Sequence, residues 1–491
     1  MVEGAEGVGY AHSTLRTGKP FTWGRSVRCH KPCKGTLTRR VVTFKAQHRT
    51  VGRPKRPMQT TLHGIAEAAK QHKRKRFRSL YSCFNRVLLE QSYGELNKNA
   101  AAGVDGMTYK EYGKNLQRNL LDLEERLKGK RYHAKFVKRV FIPKASGGQR
   151  PLGIPAFEDK IVQNLARRIL EHLFEPLFLE CSYAYRPERS ARQAVLALQE
   201  EIRHKYSWVV EADIKSFFDT IDHDQLIEMI KTRVDDEAFI RLIRKWLNAG
   251  VLNCNGTIDS PTGGTPQGGV ISPILANIYL HFVLDRWFND DVKKKSDGEA
   301  HMVRYADDFV AAFRYHKNAA SFLNRLPARL AKFSLKPAPD KTRKLMFNRF
   351  RRLESGTFSF LGFEFRRIVT RKKGYDTVGV RTDSKRMRRI VRDFKEWCKG
   401  HRHKRIAWIM GMVKAKLRGL RNYFGVQGNS ACLRKLNHTF RKTLYKWLNR
   451  RSQRKSYAWP AFARIWTMYN VSSLGRLNNN GFQLSFLPFL N

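Results

Sequence analysis

The chain has 491 residues, 42% of them hydrophobic, so its length predicts two to four domains with ordinary globular cores. Lysine and arginine total 95 against 42 acidic residues, and the resulting net charge of +53 indicates a polyanionic partner, with nucleic acid the leading candidate. No apolar run reaches about 18 residues and the N-terminus has no signal-peptide core, which argues against a membrane or secreted protein. The 7 scattered cysteines are typical of reduced thiols in a cytosol rather than of a disulfide framework.

Residues 1–57 are rich in glycine, basic and polar residues without periodicity, and we expect a basic, mostly disordered arm. Within it, Cys29, His30 and Cys33 could be free thiols in a loop or part of a metal site, although a structural zinc would need a fourth ligand. Helical periodicity follows at 65–70, 80–96 and 109–127. Between the first two helices lies a basic cluster beside aromatic residues, either a solvated face or a phosphate-contacting patch: Lys73, Arg74, Lys75 and Arg76.

A β-hairpin is predicted from strands at 137–143 and 151–155. Its turn carries Lys144 and Arg150, which suit a triphosphate because lysine supplies a point charge and arginine a two-pronged donor. An ordinary surface hairpin remains the alternative. Helices are expected next, at 161–174 and 191–204.

Carboxylates end two later strands. The apolar strand 207–214 reaches Asp213, and a hairpin over 302–312 holds Asp307 and Asp308 at its tip. Adjacent carboxylates repel each other, and a divalent cation relieves that repulsion. Three carboxylates on neighbouring strand ends can hold two Mg²⁺ ions roughly 3.5–4 Å apart, the geometry of two-metal phosphoryl transfer. On its own, the hairpin tip could equally be a solvent-exposed turn.

A loop dense in glycine and proline covers 260–273 and leads into a helix predicted at 274–284. Its backbone can approach a ligand closely, and the amide-rich helix N-terminus faces the same place. Further on, a helix is expected at 318–333 and a strand at 358–365. From residue 384 the chain becomes basic amphipathic helices, at 387–397, 406–420 and 433–448, which could lie along a nucleic-acid duplex.

Together, these motifs resemble the reverse transcriptases encoded by bacterial group II introns, over about residues 58–455. The resemblance rests on seven stretches in the family's order: 141–155, 183–194, 211–221, 265–280, 304–309, 339–342 and 358–363. The stretch 417–425 also resembles the family's maturase domain. The tail 456–491 contains no cysteine, so we expect no Cys/His nuclease domain of the kind that some members carry at the C-terminus. The first 57 residues have no counterpart in the resemblance.

The resemblance implies an α+β fold of the right-hand polymerase type, with fingers, palm and a helical thumb that is also the maturase domain. We expect residues 58–205 to form an N-terminal extension and the fingers, 206–375 the palm, 380–455 the thumb, and 456–491 a tail.

The resemblance also implies roles for individual residues. Asp213, Asp307 and Asp308 would bind two Mg²⁺ ions, with Mn²⁺ a possible substitute, and Lys341 would donate a proton to pyrophosphate. The incoming nucleotide would contact Lys144, Arg150, Phe218 and Gln267. Phe218 would exclude a 2′-hydroxyl, or it is simply a core residue. RNA would contact Lys73, Arg74, Lys75, Arg76, Arg418 and Arg421.

Three functions are compatible with this pattern. The first is an RNA-directed DNA polymerase that binds its group II intron RNA, assists splicing, and acts on RNA template, DNA primer, dNTPs and target DNA in the bacterial cytosol or at the nucleoid. The second is a splicing-only RNA-binding maturase, which would not need the carboxylates. The third is a domesticated reverse transcriptase in DNA repair or phage defence.

Overall fold

The structure, a computed structural model, describes residues 60–143, 148–203, 205–253, 256–259, 263–265, 267–370, 374–454, 456–469 and 471. All of them belong to one compact unit. The predicted arm 1–57, the Cys29–His30–Cys33 group and Lys144 lie outside the described residues. None of the described helices is long and apolar enough to cross a membrane.

The first part of the unit is helical. Asn85 and Thr108 begin two of its helices by accepting backbone N–H groups with their side chains, and Glu111 completes a capping box with Thr108. The helices are α1 (Thr60–Gln71), α2 (Arg86–Gly94), α3 (Tyr109–Lys114) and α4 (Leu116–Lys128). The predicted helix 80–96 therefore starts as a 3₁₀ turn, Leu80–Cys83, and becomes α-helical only after the Asn85 cap.

A hairpin and two helices come next: β1 (Val137–Pro143), β2 (Gln149–Ile154), α5 (Phe157–Phe174) and α6 (Ala191–Glu201). The hairpin is antiparallel, with Ile142 opposite Arg150, as the sequence predicted. It forms a four-stranded sheet with two short strands from later in the chain, β4 (Val251–Leu252) and β5 (Ile258–Asp259). The strand order is β2-β1-β4-β5.

The middle of the chain builds the sheet that carries the carboxylates. Its elements are β3 (Trp208–Asp213), α7 (Phe217–Thr220), α8 (His223–Lys231), α9 (Glu237–Leu247), β4 (Val251–Leu252), β5 (Ile258–Asp259), α10 (Ser272–Leu280), β6 (Ala300–Tyr305), β7 (Asp308–Phe313), α11 (His316–Ala331) and β8 (Arg343–Met346). The predicted helix 274–284 is α-helical only to Leu280 and continues as π-helical turns, His281–Asp285 and Phe288–Val292.

This central sheet is antiparallel, in the order β6-β7-β3-β8, and both of its faces are buried. Phe309 and Ala311 of β7 point into a core shared with α5, α8, α9 and α10, whereas Val310 and Ala312 point into a second core. Burial on both faces explains why these strands read as continuous apolar runs.

The C-terminal part packs on the second core. It comprises β9 (Phe358–Phe360), β10 (Phe363–Val369), β11 (Asp376–Thr382), α12 (Ser384–His401), α13 (Ile406–Phe424), α14 (Ser430–Leu448) and α15 (Trp459–Met468). The buried Asn429 fastens the helices to the sheet, because its amide accepts from Thr382 N at 2.8 Å and donates to Phe424 O at 2.9 Å. The mixed helix-and-sheet composition matches the predicted α+β class.

Candidate active site

The central sheet brings the three predicted carboxylates together. Asp213 is the last residue of β3 and lies directly opposite Asp308, the first residue of β7. Asp307 occupies the two-residue turn between β6 and β7, next to Asp308. All three side chains are half-buried.

The turn itself is conformationally unusual. Ala306 has a φ of 56°, in the left-handed region that residues with a Cβ rarely adopt. Such a conformation costs of order 1–3 kcal/mol and persists only where the surroundings impose it. The strain is therefore located one residue before the paired carboxylates.

Mutual repulsion and loss of solvent dominate the electrostatics of the site. Burial, and after it the charges of Asp213, Asp307 and Glu211, raise the pKa of Asp308 to about 8. Burial and Asp213 also raise the pKa of Asp307, while Lys341 and Arg150 oppose that rise. Arg150, exposed on β2, therefore acts electrostatically on the carboxylate turn.

Lys341 lies in a 3₁₀ turn, Pro339–Lys341, and its ammonium is hydrogen-bonded to the Asp213 carboxylate. The turn is fixed beside β3 because Ala338 N donates to Asp213 O at 2.8 Å. The hydrogen bond to Asp213 is the main reason that the pKa of Lys341 is raised. Lys341 thus supplies the positive charge that Asp213 needs in this structure.

The donor set fits a hard divalent cation in its chemistry, because carboxylate oxygens are the ligands that Mg²⁺ prefers. After burial, the charge of Asp213 raises the pKa of both Asp307 and Asp308. It is not preassembled as a cage: within the described residues, no three His, Cys, Asp or Glu side chains are already arranged around a metal position. Asp213 instead pairs with Lys341, so its carboxylate must exchange partners to bind a metal ion.

The glycine-rich loop closes over Phe218. Thr265 N donates to Phe218 O at 2.7 Å, and Gly264 has a φ of +83°. A Cβ on Gly264 would lie 2.7 Å from the same carbonyl oxygen, so only glycine allows this approach. The Phe218 ring is half-buried and packs edge-on against Phe217, with ring centroids 5.3 Å apart.

The same loop touches the hairpin of β1 and β2. Gln267 O accepts from Gly153 N at 2.6 Å, and a Cβ on Gly268 would come within 2.8 Å of Gly153 O. Gln267 is half-buried, and its backbone links the loop to the strand that carries Arg150. The loop therefore joins two of the predicted nucleotide-binding elements.

Three further residues, to which no role was assigned from sequence, lie at the site. Tyr185, at a φ of 56°, is close enough to Asp307 for that charge to raise its pKa, after burial. Tyr423, at the end of α13, donates its hydroxyl to Leu361 O at 3.1 Å, and burial with nearby Tyr305 and Asp308 raises its pKa to about 12. Arg304 is completely buried beneath the turn. These three residues are far from one another in sequence, so no local pattern could predict that all three lie near the carboxylates.

The predicted RNA-contacting residues belong to two places, the segment just after α1 and helix α13. Lys73, Arg74, Lys75 and Arg76 are exposed just after α1, where residues Lys70 to Lys75 line an open depression of ≈ 830 Å³. Arg76 also pairs with Asp235, at 2.9 Å. Arg418 is exposed on α13, and Arg421 is half-buried on the same helix.

Comparison with known families identifies two parts of the chain. Residues 142–365 match the family described as reverse transcriptase (RNA-dependent DNA polymerase), and residues 387–466 match the maturase-specific domain of group II introns. The chain therefore combines a reverse transcriptase domain with a group II intron maturase-specific domain. Both matches confirm the family resemblance that the sequence motifs predicted.

Named relatives agree with this assignment. The group II intron-encoded protein LtrA of Lactococcus lactis subsp. cremoris is 36% identical over 247 residues, 50% of this chain and 41% of LtrA. An uncharacterized 91 kDa protein in the cob intron of Schizosaccharomyces pombe is 38% identical over 237 residues, 46% of this chain and 28% of that protein. Protein YkfC of Escherichia coli is 34% identical over 42% of this chain and 62% of its own length. The chain thus spans less than two thirds of each of these relatives.

Changing Asp308 to asparagine should alter how stability depends on pH. Because the pKa of Asp308 is raised from 3.8 to about 8, the folded protein binds this proton more tightly than the unfolded chain does. The free energy of unfolding of the metal-free protein should therefore fall as the pH rises through that window. We expect a smaller fall in Asp308→Asn, which should have the higher Tm in EDTA at about pH 9.

Thermal unfolding of both proteins between about pH 6 and pH 9 checks this expectation. Near the lower limit the wild-type carboxyl group is protonated, so the two Tm values should be similar there. The same pH dependence in both proteins would contradict the raised pKa.

Proposed function

We propose that this protein is an RNA-directed DNA polymerase of a group II intron that also binds its intron RNA to assist splicing and mobility. One observation carries the proposal: Asp213 and Asp308 are ladder neighbours, with Asp307 in the adjoining turn, inside the segment that matches the reverse transcriptase family. A protein that only bound RNA would gain nothing from three mutually repelling carboxylates.

Asp213, Asp307 and Asp308 are the residues that would hold the divalent ions. Two bound Mg²⁺ or Mn²⁺ ions would lower the pKa of the primer 3′-hydroxyl and neutralise charge on the departing pyrophosphate. The half-buried sheet end limits solvation of the carboxylates, which strengthens their interaction with any cation.

Lys341 has two roles in this proposal. In the metal-free protein it neutralises Asp213. Once Asp213 turns to a metal ion, the ammonium is released and can donate a proton to the leaving pyrophosphate. Before this exchange, the hydrogen bond to Asp213 raises the pKa of Lys341, so the proton is in place when the ammonium is released.

The incoming dNTP would lie between the carboxylates and the β1–β2 hairpin. Arg150 and Lys144 would contact its triphosphate, Gln267 would contact the nucleotide, and the Phe218 ring would lie under the sugar. The link from Gln267 O to Gly153 N supports this placement, because it joins the loop to the hairpin.

This placement supports the right-hand architecture. We assign the β1–β2 sheet to the fingers, the central sheet to the palm, and α12–α14 to a thumb that coincides with the maturase-specific match. The boundaries proposed from sequence are 58–205, 206–375 and 380–455, although β4 and β5, which lie within 206–375, belong to the same sheet as β1 and β2. Target DNA would follow the same basic surfaces as RNA, and the protein would act in the cytosol and at the nucleoid.

The helical thumb offers a surface for RNA between α12 and α14. A groove of ≈ 370 Å³ there is lined by four cations and one carboxylate: Lys395, Lys399, Lys446, Arg450 and Glu396. The Arg402 and Arg450 guanidinium groups lie 5.5 and 5.4 Å from the Trp447 ring centroid, so the arginines are held in place at this groove. In the described structure, the ion pairs of α12 join Arg389 and Arg392 to Asp393, outside the groove.

Four cations against one carboxylate suit a phosphodiester backbone. The exposed cluster Lys73, Arg74, Lys75 and Arg76, with Arg418 and Arg421, would extend the RNA contact. A splicing-only maturase or a domesticated polymerase would share this surface. Only the carboxylates distinguish the polymerase proposed here from a splicing-only maturase.

Asp307→Asn tests polymerase activity directly. The substitution keeps the shape of the side chain but removes a metal-binding charge, so primer extension with dNTPs on an RNA template should fall at least about 100-fold. Asp224→Asn, which changes an exposed carboxylate paired with Arg244 at 2.9 Å, should retain activity. DNA synthesis at the wild-type rate by Asp307→Asn would refute the proposal.

Phe218→Ala tests the placement of the sugar. Removal of the ring should open space for a 2′-hydroxyl, and the ratio of rNTP to dNTP incorporation should rise about tenfold or more. Phe282→Ala truncates another partly buried phenylalanine of the same core and should leave the ratio unchanged. Equal ratios in wild type and Phe218→Ala would assign Phe218 to the core alone.

The thumb groove can be tested by salt dependence. The combined change Lys395→Gln, Lys399→Gln and Lys446→Gln should weaken binding to structured intron RNA. It should reduce the slope of log K against log salt concentration by about one per lost phosphate contact.

A control with the same change of charge uses three exposed lysines outside the groove: Lys293→Gln, Lys294→Gln and Lys332→Gln. It should bind RNA nearly as wild type does. An equal loss of RNA affinity in the two triple variants would show that RNA binding depends only on net charge and not on the groove.

A further inference from the structure

Arg304 is the most thoroughly bonded side chain beneath the carboxylate turn. It lies in β6, two residues before Ala306, with 0% exposure. Its Nε and one terminal nitrogen donate to the two oxygens of Asp285, both at 2.6 Å. The Asp285 side chain is also completely buried, so this is a bidentate ion pair shielded from water.

The remaining donors of the guanidinium are also satisfied. The terminal nitrogen that bonds Asp285 also donates to Ser182 Oγ at 2.8 Å. The other terminal nitrogen donates to Asn277 Oδ1 at 3.3 Å and to Ala306 O at 3.1 Å. All five N–H groups therefore have acceptors. The last of these acceptors is the carbonyl of the strained residue whose peptide group leads into Asp307.

The partners come from the elements that surround the site. Asn277 belongs to α10, which follows the glycine-rich loop, and it donates to Ala184 O at 2.6 Å, just before Tyr185. Asp285 closes the π-helical turn His281–Asp285, an irregularity that often marks functional positions. The Asp285–Arg304 pair thus joins the helical segment that follows the glycine-rich loop to the carboxylate turn.

We propose that the Asp285–Arg304 pair is a positioning device that holds the Ala306 carbonyl in its left-handed conformation and thereby sets the direction of the Asp307 carboxylate. This inference rests on the proposed polymerase function. A buried ion pair contributes little net stability compared with apolar residues of similar size. What it contributes here is a rigid donor aimed at one carbonyl, a task that apolar side chains cannot perform.

The decisive variant replaces both charges with apolar side chains, Arg304→Met with Asp285→Leu. Because neither charge is left unpaired, the fold should survive. Without a donor on Ala306 O, kcat for primer extension should fall about 10- to 100-fold and the Mg²⁺ concentration for half-maximal rate should rise by a similar factor. The Kd for primer–template should stay within about twofold, since the variant leaves the basic surfaces intact.

A matched control removes a buried arginine that lies elsewhere. Arg367 pairs with Asp376 at 3.1 Å and bonds Phe347 O at 2.9 Å, in the second core. Arg367→Met with Asp376→Leu should lower the Tm without changing the Mg²⁺ requirement. An equal change in the Mg²⁺ requirement of both double variants would overturn the positioning role.

A single variant keeps the test decisive if the double variant does not fold. Arg304→Lys retains one positive charge for Asp285 but loses the fork that reaches Ala306 O, so it should show the same rise in Mg²⁺ requirement. A folded variant of either kind with wild-type kcat and Mg²⁺ requirement would refute the inference. If Asp307→Asn is inactive in the same assay, only the inference fails; if Asp307→Asn is fully active, the proposed function fails as well.

Discussion

Repulsion among three carboxylates is the constraint around which this structure is organised. A sheet ladder places Asp213 opposite Asp308, and a strained turn adds Asp307 beside them. Such a cluster is unstable by itself, as the raised pKa of Asp308 shows. Positive charge is supplied from two directions: Lys341 pairs with Asp213, and Arg150 on a separate hairpin reduces the pKa of Asp307. In the proposed function, a divalent cation bound by these carboxylates would relieve their mutual repulsion.

The lysines and arginines that give the chain its large positive charge occupy two kinds of position, on the surface and in the cores. Most lysines and arginines of the described residues are exposed or half-buried, but Arg233 and Arg367 are buried and bond mainly to backbone carbonyls. Arg233 donates to His72 O at 2.8 Å and to Ala69 O at 3.2 Å, so it terminates α1 against the middle of the chain. Arg367 bonds the carbonyls of Phe347 and Ile202 in the second core. Arginine suits these places because its five donors can satisfy several carbonyls that water cannot reach.

The maturase-specific segment is physically connected to the carboxylates. Tyr423 ends α13 and donates to Leu361 O, at the turn between β9 and β10, while Asn429 binds the end of β11. The charge of Asp308 contributes to the raised pKa of Tyr423, after burial and Tyr305. A shift of the C-terminal helices on RNA would therefore act on residues beside the active site. The segment that matches reverse transcriptases and the segment that matches the maturase-specific domain contribute residues to one shared core.

Local sequence patterns were sufficient to predict most elements and the three carboxylates. Short apolar runs located β3, β6 and β7, because both faces of the central sheet are buried. Helical periodicity located α12, α13 and α14, because these helices repeat an apolar contact at a fixed spacing. The break of α10 into a π-helical turn was missed, since no residue there interrupts helical periodicity. The sequence by itself determined which side chains could bind metal, phosphate or RNA. Only the tertiary structure decided that Lys341 holds Asp213 and that Arg304 supports Ala306, because side-chain hydrogen bonds between distant segments depend on packing that has no periodic signal.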